Sequence, residues 1–587
     1  KVIDRMLETN ESSNWVPKHL KEGRYKNIVE NAPDWTISRN RFWASPLPIW
    51  KNPQTGTLTV IGSFDELKAR IKRSGNRYFL MRHGEAVSNR DCVTSSRPDA
   101  PDPLTEQGIA EVSAEVGGLK EKKIDLIIIS PYERTKQTAE IIRVALGLGK
   151  EAVVEDARLG EIKLGILDGV AIKKYHEFLE VGGRWSEQMP EGGESWNDVK
   201  RRAGELLYEA ERTHSGKNIL FIGHNSPLSM LEVVARGALL SDDFEHDADG
   251  KRFGNAEIRT LDFVPLPHNR QYELDFHRPY IDEIALVDER GAELIRIPEV
   301  IDGWVESGSM PFAERHYPFE HTDEFEPKEN NAYPADFIAE YIAQTRTWFY
   351  YMHAISILLF NEPSFRNVIA TGTLLAADGS KISKSKGNYT DPLILMDMFG
   401  ADAPRYYLMA GVVMQAEDVN FKDEEVREAH NRVVNLLWNT YTFYTLYKPP
   451  DIPKEVPSES PFILDQWILS RLSQLVTEMT EALDVYDMPR ATRPIREFVE
   501  DFSTWYVRRS RERFKNDDAK DRAYAVATTR YVLLTLSKLV APVMPFIAES
   551  IYRGVCDEKE SVHLEAWPEG GTVNAKMLVD MTTVREV

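Results

Sequence analysis

Three apolar runs in the middle of the chain each end in residues suited to handling phosphate. Tyr78-Phe79-Leu80-Met81 leads into Arg82-His83-Gly84, and Ile124 to Ile129 leads into Ser130-Pro131 with Arg134 beyond. Asn218 to Ile222 leads into Gly223-His224-Asn225. Two guanidiniums match the paired oxygens of a phosphate monoester. A neutral imidazole can attack phosphorus and give a phosphohistidine. Phosphoryl transfer otherwise needs charge stabilisation and in-line positioning, which the arginines and the second histidine would supply. A leaving alkoxide needs a proton, and Glu161, in Leu159-Gly160-Glu161, is the candidate acid. A lone histidine would be a coincidence; all three endings at strand ends make a pattern.

A second constellation is the loop Ala377-Asp378-Gly379-Ser380-Lys381-Ile382-Ser383-Lys384-Ser385-Lys386-Gly387-Asn388, which follows a strand-like run from Asn367 to Leu375. Its glycines permit hinge motion. Lys381 and Lys384 could close over a triphosphate as point charges while pyrophosphate leaves. Taken alone, such a loop is more often a solvated basic turn.

The elements that must hold these residues can be read from periodicity. Helical segments separate the three apolar runs, so their sheet is expected to be parallel. Ligands of an open parallel sheet sit at the carboxyl ends of its strands, which gathers both histidines and both arginines at one edge. Farther on, Ile468, Leu472, Leu475, Val476, Met479 and Leu483 form one face of an amphipathic helix, with Asp465 as a candidate cap. Similar stripes run through Val433 to Tyr447, Pro494 to Phe514 and Tyr524 to Tyr552, which implies a helical bundle. A short strand (Thr57 to Ile61) and a charged helix close the Trp- and Pro-rich opening.

The 587 residues, 42% hydrophobic and 28% charged, are enough for roughly four globular domains. Two cysteines, Cys92 and Cys556, exclude a disulfide framework and a cysteine-based zinc site, so no metal site is expected and the setting is expected to be reducing and cytoplasmic. A net charge of -21 argues against generic binding to nucleic acid or anionic membrane, while leaving room for a local basic face.

The middle of the chain resembles the histidine phosphatase (phosphoglycerate-mutase-like) superfamily. The likeness rests on Leu80-Met81-Arg82-His83-Gly84-Glu85, Pro103-Leu104-Thr105-Glu106-Gln107-Gly108, Ser130-Pro131-Tyr132-Glu133-Arg134, Asp168-Gly169, Gly192-Gly193-Glu194-Ser195 and Gly223-His224-Asn225. It implies His83 as nucleophile, Arg82, Arg134 and His224 as the phosphate pocket, Asn89 as a further contact and Glu161 as proton donor, without a cofactor. Ile162-Lys163-Leu164 lacks the basic and aromatic residues typical of sugar-phosphate mutases, and the substrate stays open.

The flanking regions resemble class I aminoacyl-tRNA synthetases of the isoleucine–tRNA ligase type. Lys381-Ile382-Ser383-Lys384-Ser385 is similar to the KMSKS signature. Asp34-Trp35-Thr36-Ile37-Ser38-Arg39-Asn40-Arg41-Phe42-Trp43, Pro46-Leu47-Pro48-Ile49-Trp50, His277-Arg278-Pro279-Tyr280 and Tyr333-Pro334-Ala335-Asp336-Phe337-Ile338-Ala339-Glu340 carry the rest. The resemblance implies that Lys381 and Lys384 bind ATP, with magnesium, and that Glu340 and Gln344 bind the aminoacyl-adenylate. Isoleucine and tRNA(Ile) are the implied partners. Tyr341, Ala343, Thr347 and Ala44 depart from the residues usual in the family. The helical tail is similar to the anticodon-binding domain. There Arg508, Arg509, Arg511 and Arg513, placed on one helix beside aromatics, would meet tRNA phosphates, or else form a solvated face with internal ion pairs to nearby acids.

The expected architecture is α/β plus all-α. A partial Rossmann-type synthetase catalytic region (1–73 and 266–404) is interrupted by a three-layer α/β histidine-phosphatase-like domain (74–265). An anticodon-binding helical domain (405–570) and the start of a further region (571–587) follow. No His-x-Gly-His and no threonine-rich editing domain stand in the sequence. The expectation is therefore a chain that starts after both and alone catalyses no amino-acid-dependent ATP–pyrophosphate exchange. Two other readings accompany this one: the inserted unit is the only functional site, a phosphomonoesterase, or it is a non-catalytic phosphate- or RNA-binding module.

Overall fold

The computed structural model describes residues 2–180, 186–240, 253–325, 333–449, 460–556 and 560–586; the terminal Lys1 and Val587 of the first and last expected regions lie outside them. The chain forms two compact units, Thr36–Gly303 and a second made of Lys1–Trp35 with Trp304–Val587.

The Thr36–Gly303 unit is built on a five-stranded sheet. Its order is Val153–Glu155, Leu126–Ile129, Asn218–Gly223, Arg77–Arg82, Ile258–Leu261. The first four strands are parallel, as the sequence implies, and the last is antiparallel. Alternate residues of each strand enter different cores. Tyr78, Leu80, Ile128, Ile219 and Phe221 pack under the helices Trp196–Thr213 and Asn225–Arg236. Phe79, Met81, Ile127, Ile129, Leu220 and Ile222 pack under Glu106–Lys122 and Glu133–Leu146. Burial on both faces explains why these runs read as unbroken apolar stretches rather than alternating ones. The three-layer α/β expectation holds.

Tyr78 lies opposite Leu261 in the sheet, so the entering and leaving strands of the 74–265 segment are neighbours. That geometry suits an insertion into a host loop. The compact unit is nevertheless wider than the segment. Trp50, Ile61, Leu67 and Ile71 from one flank share a core with Val264, Leu266, Ile281, Leu286 and Leu294 from the other. The expected short strand and charged helix are there, as Leu58–Val60 and Phe64–Arg70, with the Ser63 hydroxyl capping Glu66 N–H at 3.2 Å. Ala44, where glycine is usual, has φ of 153°, a conformation that disfavours a side chain.

The other unit carries a three-stranded parallel sheet, Asn14–Val16, Phe365–Thr371 and Ala335–Tyr341, with Phe365–Thr371 in the centre. Trp15, Phe349, Met352 and Val368 fill its core. From Asp423–Ala429 onward the described elements are all helices, and Ile468, Leu472, Leu475, Val476 and Met479 are all buried, as their spacing predicts. Three local expectations are corrected. Asp465 does not cap the helix Ile463–Leu483; it lies inside the first turn, fully buried. Its carboxylate accepts bonds from Tyr506 at 2.8 Å and from Arg513 at 2.7 and 2.9 Å. The stripe from Pro494 to Phe514 is not one α-helix, because a π-helical stretch, Asp501–Val507, follows Met488–Glu500 and the helix stops at Ser510. The stripe from Tyr524 to Tyr552 splits into Ala519–Val540 and Pro545–Val555, where Pro542 and Pro545 cannot donate to a helix ladder. The residues after Asn574 do form a helix, Ala575–Glu586. Among the described residues no helix is long and apolar enough to cross a membrane.

Candidate active sites

The ends of two central strands place both histidines. His83 follows Arg77–Arg82 and His224 follows Asn218–Gly223, with ring centroids 5.1 Å apart. Arg134 reaches both from the second position of the helix Glu133–Leu146. Its Nε donates to His83 Nε2 at 3.1 Å, and its Nη2 lies 3.1 Å from His224 Nδ1. His224 is itself the N-cap of the helix Asn225–Arg236. Two helix N-termini therefore stand beside the arginine, which favours an anion there. The turn carrying His83 is pressed against the start of the helix Glu106–Lys122. A Cβ on Gly84 would come within 2.4 Å of Gly108 O, and one on Gly108 within 2.1 Å of Glu85 O. Only glycine allows this approach, which fixes where His83 points.

Hydrogen bonds set the tautomers of both rings. His83 Nδ1 lies 2.7 Å from the Gly84 carbonyl, which can only accept, so the proton is on Nδ1 and the Nε2 lone pair faces the pocket. His224 accepts from Arg134 at Nδ1 and therefore donates through Nε2 to Ser130 Oγ, 2.8 Å away. Burial and the Arg134 and Arg82 charges hold the His83 pKa well below the ordinary histidine value. Burial, Arg134 and then His83 do the same to His224. Both rings are neutral, one of them with a lone pair where a nucleophile needs it.

Arg82 is half-buried. Its Nη1 donates to Phe253 O at 2.7 Å, and its charge reaches both histidines. Glu161 is half-buried, with Oε1 accepting from Ile162 N–H at 2.9 Å, and its charge acts on Arg134 and Tyr132. Asn89 is turned to a local task, its Oδ1 accepting Ala86 N–H at 3.0 Å. Sequence reasoning missed the surroundings of Arg134. Asp102 pairs with Nη1 at 2.7 Å, and Ser95 accepts from Nη1 and Nη2 at 3.2 and 3.0 Å. The Tyr132 ring lies edge-on to His224 at 4.5 Å. Asp102 stands directly before the Pro103-Leu104-Thr105 block, and that adjacency was its one visible signal.

The residues implied for the synthetase site are arranged differently. Glu340 is exposed on the strand Ala335–Tyr341, its Oε2 accepting Tyr341 N–H at 3.0 Å. Gln344 Oε1 accepts the Thr347 hydroxyl and, at 3.1 Å, Trp348 N–H, and so caps the helix Trp348–Phe360. Lys381 and Lys384 are exposed. Their loop is shaped by Asn388, which accepts Ser383 N–H at 3.0 Å and donates to Ser380 Oγ and Lys381 O at 3.0 and 3.1 Å. Among the described residues no hydrogen bond or ion pair joins these four side chains.

Of the four arginines in the helical region, Arg508, Arg509 and Arg511 are exposed, and Arg509 stacks on Trp505 at 3.7 Å. Arg513 departs from a phosphate-facing role. Its guanidinium is held by Asp465 and, at 2.6 Å, by Asp521, over the Phe462 ring. For this residue the internal ion pair is the observed arrangement.

Three family models match different parts of the chain. Residues 1–91 and 262–422 match the family of tRNA synthetases class I (I, L, M and V). Residues 78–262 match the histidine phosphatase superfamily (branch 1), and 465–587 the anticodon-binding domain of tRNA ligase. An isoleucine–tRNA ligase of Thermus thermophilus is 43% identical over 323 residues, 53% of this chain and 30% of the relative. One of Chlamydia trachomatis is 44% identical over 349 residues, 58% of this chain and 32% of the relative. The chain thus spans about a third of the length of these relatives. Among solved structures, a mycobacterial glucosyl-3-phosphoglycerate phosphatase overlaps with a TM-score of 0.28 at 23% identity, covering 32% of this chain and 93% of that one. The chain thus carries a class I tRNA synthetase region homologous to isoleucine–tRNA ligases, with a histidine phosphatase superfamily domain set inside it and an anticodon-binding domain behind it.

Proposed function

We propose that the chain serves an isoleucine–tRNA ligase whose inserted domain is a working phosphomonoesterase. In the ligase, ATP entering with magnesium and isoleucine give isoleucyl-adenylate and pyrophosphate, and the acyl group then passes to tRNA(Ile). Lys384, with Lys381, closes on the triphosphate; Glu340 and Gln344 hold the adenylate; Arg508, Arg509 and Arg511 offer charge to tRNA phosphates. The observation behind this reading is the 40–44% identity to isoleucine–tRNA ligases over 53–58% of the chain, beside a class I synthetase family match that lies on both flanks of the insert. Its test is retention of tRNA(Ile) against a tRNA for another amino acid, with an Arg508→Ala/Arg509→Ala/Arg511→Ala variant as control. Equal retention of both tRNAs, or a variant that binds like the parent, would remove the assignment.

In the inserted domain, His83 Nε2 attacks the phosphorus of a monoester. The N–P bond forms as the P–O bond to the leaving group breaks. Glu161, entering protonated, gives its proton to the leaving oxygen. Water then attacks phosphorus and passes a proton to the Glu161 carboxylate, the N–P bond breaks, and inorganic phosphate leaves. Arg82, Arg134 and His224 stabilise charge on the phosphoryl oxygens, with Asn89 a further contact. The lone pair of His83, fixed by its bond to Gly84 O, is the observation that carries this reading. Phosphate release from an aryl phosphate, compared between the chain and His83→Ala, tests it; equal rates would refute it.

A further inference from the structure

We infer that Asp102 is a positioning residue of the phosphate site: it fixes the rotation of the Arg134 guanidinium so that its Nε edge, and no other, is presented to the phosphoryl group. This rests on the phosphatase reading of the same pocket. An arginine carries five N–H donors in a planar fork. At Arg134, Nη1 is occupied by Asp102 Oδ2 at 2.7 Å and Ser95 Oγ at 3.2 Å, and Nη2 gives one bond to Ser95 O at 3.0 Å. What remains is the Nε–H and the second Nη2 proton, which point at His83 and His224. Those are the two parallel donors that would grip two phosphate oxygens.

The clamp is rigid on its far side as well. Asp102 accepts the Ser88 N–H at 2.9 Å through Oδ1 and the Ser88 hydroxyl at 2.7 Å through Oδ2. The side chains of Arg134 and Asp102 are 4% and 6% exposed. Water cannot substitute for the carboxylate in so closed a site, and a buried guanidinium without its partner carries a large penalty. The Asp102 charge also offsets that of Arg134 in the substrate-free pocket, where two neutral histidines accept from it. Ser88, Asp102 and Arg134 thus form one line of bonds from the start of a short helix to the nucleophile.

The test is calorimetric affinity for inorganic phosphate in the full chain, which needs no turnover. Asp102→Asn, Arg134→Ala and the double variant are compared, with melting curves recorded for each. Asp102→Asn is expected to weaken phosphate binding roughly 10- to 100-fold. In the Arg134→Ala background the same change is expected to cost less than about 2-fold, because the residue acts only through the arginine. Unchanged affinity in Asp102→Asn, or an equal loss in both backgrounds, would overturn the proposal. If Asp102→Asn does not fold, Ser88→Ala takes its place. It is expected to lose roughly 3- to 10-fold in the native background and nothing in Arg134→Ala, and an unchanged affinity there would overturn the proposal equally. Failure of the phosphatase reading shows separately, as absence of His83-dependent phosphate release.

Discussion

The phosphate pocket and the lysine loop both gather charged residues, but one is built and the other is presented. His83, Arg134 and His224 are almost fully buried, touch one another, and have each donor or acceptor matched by a neighbour. Lys381, Lys384 and Glu340 stand at the surface, and Gln344 is engaged by its own helix start. The first site draws all its parts from the edge of one sheet. The second takes its parts from a strand, a turn and a loop, and among the described residues no hydrogen bond or ion pair joins those four side chains. A preorganised pocket acts through electrostatics fixed before substrate arrives, whereas an exposed loop acts only when a ligand draws it in. The two sites should therefore answer mutation in different ways.

The largest contrast is expected for His83→Ala. Loss of a nucleophile should lower phosphate release from an aryl phosphate by roughly 10³-fold or more. Retention of tRNA(Ile) should be unchanged in the same variant. A loss in both assays would break the separation drawn between the sites.

Arg513 and Arg509 repeat the contrast within the helical region. Arg513→Ala leaves Asp465 buried and short of its cation, and is expected to destabilise by about 3–5 kcal/mol. Arg509→Ala removes an exposed guanidinium from the Trp505 face and is expected to cost about 1 kcal/mol or less. Urea unfolding of the two variants checks this; equal losses would mean that Arg513 is no more committed than its neighbour.

Protonation gives a smaller and graded effect. His83 and His224 have folded pKa values well below the ordinary histidine value of about 6.5. For a histidine kept neutral by folding, the unfolded chain binds the proton more readily, so stability is complete above about pH 6.5 and declines as pH falls below it. The acid limb of kcat/KM, which reports the free enzyme, is accordingly expected below pH 6.5. A limb above that value would contradict the neutral pocket. His353 in the other unit is buried between Thr9 and Tyr25, with burial lowering its pKa to about 4. It should contribute acid sensitivity of the same sign, and His353→Gln should flatten the dependence of melting temperature on pH between about 6.5 and 4.

The phosphate pocket was legible because chemistry and topology coincide at it. An apolar run that stops abruptly at Arg82-His83 or Gly223-His224 reports a strand end, and parallel strands bring their ends together. Asp102 was not legible: between Pro101 and Pro103 it reads as a solvated turn acid, and only the packed fold turns it toward Arg134. The same blindness explains Asp465. Periodicity located its helix, but an acid at a helix start looks like a cap whether it faces solvent or a half-buried arginine far along the chain. The helix end at Ser510 was hidden because apolar and basic residues continue through Phe514. The chain turns there through contacts of Arg513 with Asp465 and Asp521 that no local pattern records.

The smallest expected effect is at Lys384. The side chain is exposed on a loop whose shape depends on Asn388 and on turns at Gly379 and Gly387, not on the lysine. Lys384→Ala should therefore shift stability by no more than about 0.5 kcal/mol and leave phosphate release unchanged. What it should alter is the response to ligand. A loop that closes over a triphosphate becomes shielded, so ATP with magnesium should slow tryptic cleavage at Lys381 and Lys386 in the parent chain. In Lys384→Ala that protection should diminish. Asn388→Ala makes the complementary change: it loosens the loop without removing a charge, and should speed cleavage in the absence of ATP. If Lys384→Ala lowered the melting temperature as much as Asn388→Ala, the lysine would be part of the loop's architecture, and the division between a built pocket and a presented loop would fail.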